Sequence, residues 1–360
     1  MQDQVRIGVI GTSGFTEFMH LTDLKSHPQA RVTAICGRRD RKRAAELATA
    51  YDIPYVYTDY REMLGQAPLD AVIVAAPDDL HYPIVMEALD AGLHVLCEKP
   101  LASNVEQARA MLEKAEAAGV MHMVFFTWPW LDHWQHVQRL LTEGYVGRPR
   151  HCEVTYLGSH GLDQQYNWRF DGRRGNGVLA DLGAHAIQFA RLYVGEVTRV
   201  CAHLRNFIER TDPEGQPVSP ANDSAQLIVE FANGAHGIIQ LSAVAHKAGD
   251  WLHQRIVIHG DAGSLEAELT NTGRRLRGVR SGAESYEDFG TRVFGPEDGA
   301  FGGIFDVFRS QSVGDRQVID AILEDKRPGP SFYDGVKVQE VIDAALASHR
   351  AERWVTLSGT

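Results

Sequence analysis

Val5 to Ile10 is a short apolar run that breaks into a glycine-bearing turn, and Phe15 to Leu24 then carries apolar residues at helical spacing. Val32 to Cys36 reads as a second strand, with Asp40 placed to cap a helix running to about Tyr51. Ala71 to Ala76 is apolar without alternation, as a strand covered on both faces must be, and Pro77 ends it. A helix to Ala91-Gly92, a strand from His94 to Cys97, a helix over 104–118 and a strand from Met121 to Phe126 continue the rhythm. Ser103 with Glu106 is a capping box for the helix 104–118. Strands that alternate with helices in this way pair in parallel, which predicts a doubly wound α/β sheet.

Beyond residue 126 the grammar changes. Helices over 132–143 and 178–193 are followed by strands alone. Ser224 to Phe231 and His236 to Ala245 partly alternate around Asn233-Gly234, a strong hairpin signal. His253 to His259 and Leu265 to Leu269 add strands, and helices return near 315–325 and 335–350. The pattern predicts an α+β domain on a large, mostly antiparallel open sheet. The glycine- and charge-rich stretch 271–302 reads as a long loop. The expected division is therefore 1–126 and 127–360.

Composition agrees with two domains. The chain has 360 residues, of which 44% are hydrophobic and 23% charged, proportions that exclude a disordered or fibrous protein. One core of that size would be unusually large. With 36 basic against 47 acidic residues the net charge is −11, which argues against nucleic acid and anionic membrane as partners. Cys36, Cys97, Cys152 and Cys201 lie far apart without a paired CxxC, which suits a reducing compartment. A strand begins almost at once, leaving no room for a signal peptide, and no apolar run approaches the roughly 18 residues of a membrane span. The expected location is the cytoplasm.

The first strand ends at Gly11-Thr12-Ser13-Gly14-Phe15. In a dinucleotide fold such a turn lets backbone N–H groups and a helix N-terminus meet a pyrophosphate. A strict GxGxxG would place glycine at position 13, where Ser13 stands; a tight turn that needs glycine for packing is the rival reading. At the end of the second strand, where an acid would hold the 2′-hydroxyl of NAD, the chain reads Cys36-Gly37-Arg38-Arg39. Arg38 and Arg39 offer planar donors to a 2′-phosphate, so NADP is expected in preference to NAD.

From Pro77 onward the residues become specific. Ala75-Ala76-Pro77, His81, and the run from Ala88 to Leu101 containing Glu98-Lys99-Pro100 closely resemble the Gfo/Idh/MocA family, that of glucose–fructose oxidoreductase, inositol dehydrogenase and dimeric dihydrodiol dehydrogenase. Gly177 to His185 is similar to that family's second motif, and the C-terminal helix Asp334 to His349 followed by Arg353-Trp354-Val355 is similar too. The resemblance covers nearly the whole chain. It implies a Rossmann domain followed by a substrate-binding and oligomerisation domain, with homodimers or homotetramers formed through the second sheet. It also implies that Ala76, Pro77, His81, Glu98 and Lys99 lie along the cofactor, that Lys99 is catalytic, and that the Lys99–Pro100 bond is cis.

Lys99 falls just past the carboxyl end of a parallel strand, where ligands of open α/β sheets bind, and an amine there can share a substrate hydroxyl proton. Asp181, His185 and Gln188 stand at helical spacing and form one polar stripe. By resemblance Asp181 and His185 match the family's active-site pair, with His185 as general base and Lys99 polarising the oxygen, or the two roles exchanged. Trp128, Trp130, His160, Trp168 and Arg169 are candidate substrate contacts, since sugars lie well against aromatic faces edged with polar donors. The tryptophans serve equally well as core or interface. His133-x-x-His136 lacks a third metal ligand, so no metal is expected.

The expected activity is hydride transfer between a secondary alcohol of a sugar, polyol or related cyclic hydroxyl compound and NAD(P). Two alternatives are a redox-neutral lyase or glycosidase using transient oxidation by a tightly held cofactor, and a non-catalytic cofactor-bound sugar sensor.

Overall fold

The computed structural model describes residues 4–38, 40–246, 251–295 and 300–357. They form two compact units, Met1–Thr127 with Phe305–Gln339, and Trp128–Ile304 with Glu340–Thr360.

In the first unit, β1 (Val5–Ile10), β2 (Ala30–Cys36), β3 (Tyr55–Tyr57), β4 (Ala71–Val74), β5 (His94–Glu98) and β6 (His122–Phe125) form one sheet in the order β3-β2-β1-β4-β5-β6. Every neighbouring pair is parallel. All four residues of β4 are buried, which is why its sequence does not alternate. The strand order turns back beside β1, so the carboxyl ends of β1 and β4 flank the switch point where open α/β sheets bind ligands.

Two local expectations change. The first helix is not regular: Thr16–Leu21 is a π-helical turn that passes into an α-helical turn, Thr22–Lys25. The helix Val105–Ala118 is capped one residue later than expected, by Asn104, whose side chain accepts the Gln107 N–H at 2.9 Å, while Gln107 Oε1 accepts from the Ser103 N–H at 3.4 Å. Asp40 caps its helix as expected, accepting from the Arg43 N–H.

The expected second domain, 127–360, also differs from the observed grouping, because Phe305–Gln339 packs with the first unit. Phe308 and Phe332 are fully buried there. Phe308 lies 5.9 Å from the Phe125 ring, Phe332 5.0 Å from the His122 ring, and the Val124 N–H donates to Pro330 O at 2.9 Å. This segment therefore completes the core beside β6.

The second unit holds a nine-stranded sheet of β7 (Pro149–Gly158), β8 (Val197–Arg205), β9 (Ser224–Phe231), β10 (His236–Ser242), β11 (Leu252–Gly260), β12 (Gly263–Thr270), β13 (Gly273–Arg280), β14 (Glu287–Val293) and β15 (Val355–Thr356). The order is β14-β13-β12-β11-β7-β10-β9-β8-β15, and only β10 with β7 is parallel. The β9–β10 hairpin turns at Asn233-Gly234, where Gly234 takes a φ of +84° that few side chains tolerate. The expected loop 271–302 instead contains two strands, β13 and β14, with 296–299 outside the described residues. The helix Gly183–Tyr193 packs on the sheet with ten of its residues buried. On the opposite face Ile228 and Ile238 pair across β9 and β10 and are 48% and 50% exposed.

Candidate active site

The glycine turn after β1 is built around one close approach. Gly11 has a φ of +132°, and a Cβ there would sit 2.3 Å from Ala75 O at the end of β4. Around Gly14, by contrast, a Cβ would meet nothing within 4 Å. Ser13, standing where the strict motif has glycine, puts its Oγ to use as a cap: it accepts the Thr16 N–H at 3.1 Å and lies 2.9 Å from Thr16 Oγ1. Thr12, Ser13, Gly14 and Phe15 keep at least partial exposure, so a crowded glycine and an open one together leave backbone accessible to a ligand. At the end of β2, Gly37 has no room for a side chain, with Thr12 Cγ2 and the Ala44 methyl at 2.9 Å from a Cβ placed there. Arg38 is exposed beside it, and Arg39 lies outside the described residues.

Past β4 and β5, the buried His81 ties two turns together. Its Nδ1 faces Pro100 O and its Nε2 faces Ala76 O, each at 2.8 Å. A neutral imidazole has only one N–H to donate, so both carbonyls are satisfied only by the imidazolium. Burial opposes that charge, but Cys97, Asp78 and the Pro100 carbonyl raise the ring to about 10. Ala76, Pro77, Glu98 and Lys99 are half-buried around this brace. The Lys99–Pro100 bond is cis.

In the second unit Asp181 gathers two of the expected residues. It is 13% exposed and accepts from Arg169 Nε at 3.3 Å and His160 Nε2 at 3.1 Å. The Arg169 guanidinium lies 4.5 Å over the Trp168 ring, and His160 stacks on Phe170 at 6.1 Å. The 178–193 helix is interrupted at Leu182, between Asp181 and His185. His185 is 6% exposed, its ring 6.0 Å from Trp128 and 6.1 Å from Tyr156. Gln188, at i+3 from His185 on the helix Gly183–Tyr193, accepts from Arg191 Nη1 at 2.8 Å.

Tyr156 and Gln254 belong to this cluster and were not singled out from the sequence. Tyr156 is buried, and burial together with the Asp181 charge pushes its phenol far above the ordinary range, so it is a hydrogen-bonding hydroxyl at any working pH. Gln254 Oε1 accepts from Trp134 Nε1 at 3.2 Å. The alternation of β7 alone marks Tyr156 as an inward residue, no different in pattern from core. Trp128 and Trp130 are buried at 8% and 7% exposure. Trp128 packs with Tyr156 and His185, whereas the Trp130 carbonyl accepts from Gln135 Nε2.

The His133–His136 pair serves packing. Burial pushes His133 down to about 3, so its ring is neutral against Trp134, and His136 meets Phe289. Among the described residues no group of three or more His, Cys, Asp or Glu side chains is arranged to hold a metal ion.

Comparison with known proteins fits this picture. Residues 5–126 match a family model described as an oxidoreductase family with an NAD-binding Rossmann fold, and residues 134–266 match that family's C-terminal domain. The chain is 31% identical to an uncharacterised oxidoreductase of Synechocystis over 98% of its length and 95% of that protein. It is 28% identical to the levoglucosan dehydrogenase of Pseudarthrobacter phenanthrenivorans over 91% of this chain and 90% of that one. A solved levoglucosan dehydrogenase in complex with NADH and levoglucosan superimposes with a TM-score of 0.86 at 26% identity, covering 99% and 100% of the two chains. Fold and sequence together thus define an oxidoreductase with an NAD-binding Rossmann unit. The chain belongs to the Gfo/Idh/MocA family.

Proposed function

We propose that the protein is an NAD(P)-dependent dehydrogenase that moves hydride between a secondary alcohol of a sugar, polyol or related cyclic hydroxyl compound and the nicotinamide. The observation that carries this reading is the end-to-end likeness to a dehydrogenase solved with both NADH and its sugar. A relative matched over a shorter stretch, a scyllo-inositol 2-dehydrogenase of Bacillus subtilis, is named for NADP.

The crowded Gly11 and open Gly14 fit a diphosphate against the β1 turn. When bound, the nicotinamide accepts or gives the hydride; the chain's own residues handle orientation and the proton. His185 is assigned as the base that takes the hydroxyl proton, Lys99 as the group that polarises the oxygen. Asp181, already committed to Arg169 and His160, orders the polar side of the site. Trp128, Trp130, His160, Trp168 and Arg169 are assigned to the substrate.

NADP is the preferred cofactor in this reading, supported by the exposed Arg38 and the absence of an acid after β2. The open sheet face bearing Ile228 and Ile238 supports a homo-oligomer, readable by light scattering on a sizing column. The four cysteines are free thiols, which supports a reducing, cytoplasmic setting.

The test is a panel of levoglucosan, D-xylose, D-apiose and scyllo-inositol with each nicotinamide, followed by absorbance. Turnover on at least one is expected, falling roughly 10²-fold or more in Lys99→Ala with dinucleotide affinity nearly intact. Normal turnover in that variant refutes the role given to Lys99.

A further inference from the structure

One buried cluster in the first unit is not used by that reading. His20 is wholly buried on the π-helical turn, at a point where the Thr22 N–H reaches back five residues to Glu17 O. Such turns recur at functional sites because the extra residue re-aims a side chain. His20 Nδ1 lies 3.0 Å from both oxygens of Asp315, and its Nε2 lies 3.2 Å from Glu98 Oε1. Asp315, also wholly buried, comes from the helix Gly314–Leu323, 295 residues further along the chain. The second Glu98 oxygen accepts the Lys99 N–H at 3.2 Å. A continuous chain of hydrogen bonds thus runs from Asp315 through His20 and Glu98 to the backbone of Lys99.

A ring set between two carboxylates donates from both nitrogens only as imidazolium. Burial works against that charge, but Asp315 and then Glu98 outweigh it and raise His20 to about 10. The remaining charged neighbours agree. Asp23, one turn along the helix, is pushed up to about 8 by burial and by Asp315, against the opposing pull of His20, Arg309 and Arg316. Burial and the Asp315 charge thus favour the protonated form of Asp23, and His20 supplies the positive charge between Asp315 and Glu98. The rings of Phe15 and Phe125 flank it edge-on at 6.0 and 4.7 Å. Stability alone is a poor reason for such a cluster, since well-packed apolar residues often do as well as a buried ion pair.

We propose that His20, anchored by Asp315, is a positioning residue that fixes the Glu98 carboxylate and, through it, the Lys99 backbone at the carboxyl end of β5. The inference rests on the reading of Lys99 as a catalytic group. Glu98 is the exposed end of the relay, at 12%, and without its donor it can turn away and release the Lys99 N–H. Displacements of about 1 Å in groups that position a reaction cost up to roughly 10²-fold.

The experiment compares wild type, His20→Gln, His20→Leu and Asp315→Asn in the full chain, with kcat and KM from the panel above, NADH and NADPH affinity by fluorescence, and thermal unfolding. In His20→Leu, kcat is expected to fall about tenfold or more with KM and dinucleotide affinity within about threefold. His20→Gln, whose amide nitrogen can donate to Glu98 in place of Nε2, is expected to recover most of that loss. A folded His20→Leu with wild-type kcat, or equal losses in the Leu and Gln variants, overturns the proposal. Should His20→Leu fail to fold, Asp315→Asn decides: reduced kcat at unchanged dinucleotide affinity supports it, and unchanged kcat overturns it. Nitrogen-15 NMR reads the relay without activity. Both ring N–H protons of His20 are expected from about pH 6 to about pH 9, and a singly protonated ring in that range overturns the charge arrangement. Lack of turnover on the whole panel in the wild type would instead count against the proposed substrate class, and full activity in Lys99→Ala against the role given to Lys99; the ring spectrum separates either failure from that of the relay.

Discussion

Replacing Asp181 separates a structural acid from a catalytic one. Asp181→Asn keeps the shape and one carbonyl acceptor but removes the charge shared by Arg169 Nε at 3.3 Å and His160 Nε2 at 3.1 Å. Were both partners buried, two charge-assisted bonds would be worth roughly 3–6 kcal/mol. Arg169 and His160 are 38% and 36% exposed, however, and solvent screening reduces such pairs to about 1 kcal/mol or less each. A total of about 0.5–2 kcal/mol lowers the melting temperature by roughly 1–8 °C for units of this size. The effect on turnover is expected to be larger. An acid that orders the polar side of a proton-transfer site contributes on the order of 10²-fold, about 2.7 kcal/mol in transition-state terms. The assay pairs thermal unfolding with kcat/KM on the best substrate of the panel. A kcat/KM within about threefold of wild type, alongside the expected drop in melting temperature, would mean that Asp181 only holds Arg169 and His160 in place.

Other substitutions probe the cofactor side and the buried charges. Arg38→Ala should weaken NADPH by about tenfold or more while leaving NADH nearly unchanged in a fluorescence titration; equal losses for both would remove the case for NADP. Gly11→Ala forces a Cβ to 2.3 Å from Ala75 O at a φ of +132° and should cost roughly 2–4 kcal/mol in denaturant unfolding. Gly14→Ala meets nothing within 4 Å, so it should unfold within about 0.5 kcal/mol of wild type yet bind dinucleotide more weakly; unchanged binding would place the diphosphate elsewhere. Stability should also decline with alkalinity. His20 and His81 are raised from 6.5 to about 10, so their contribution is complete below 6.5 and lost as pH climbs through the folded values. Asp23, raised from 3.8 to about 8, adds a penalty over that lower interval because folding disfavours its charge. A melting temperature that rises between pH 7 and pH 10 would contradict all three assignments.

What could be read in the sequence was what adjacent residues decide for themselves. The unalternating run at β4, the Asn233-Gly234 hairpin and the Glu98-Lys99-Pro100 strand end each declare themselves within a few positions. β13 does not, because its ladder with β12 replaces an apolar face with charge: Arg275 pairs with Glu268 and Arg277 with Glu266, and the one large apolar residue buried in β13 is Leu276. Arginine and glycine in that density look like loop unless the partner strand is known. The same limit hid His20. Its position reads as one polar residue in an apolar helix, and its meaning depends on a π-helical turn that no spacing rule predicts and on an aspartate 295 residues away. That aspartate belongs to a segment expected in the second domain but grouped with the first. Short motifs thus singled out Lys99 and His185, the residues proposed for the chemistry, while the groups proposed to position Lys99's strand end include an aspartate on a return of the chain that only the folded core reveals. A family resemblance carried by short motifs therefore points to candidate reacting groups and leaves candidate positioning residues, drawn from distant segments, unrecognised.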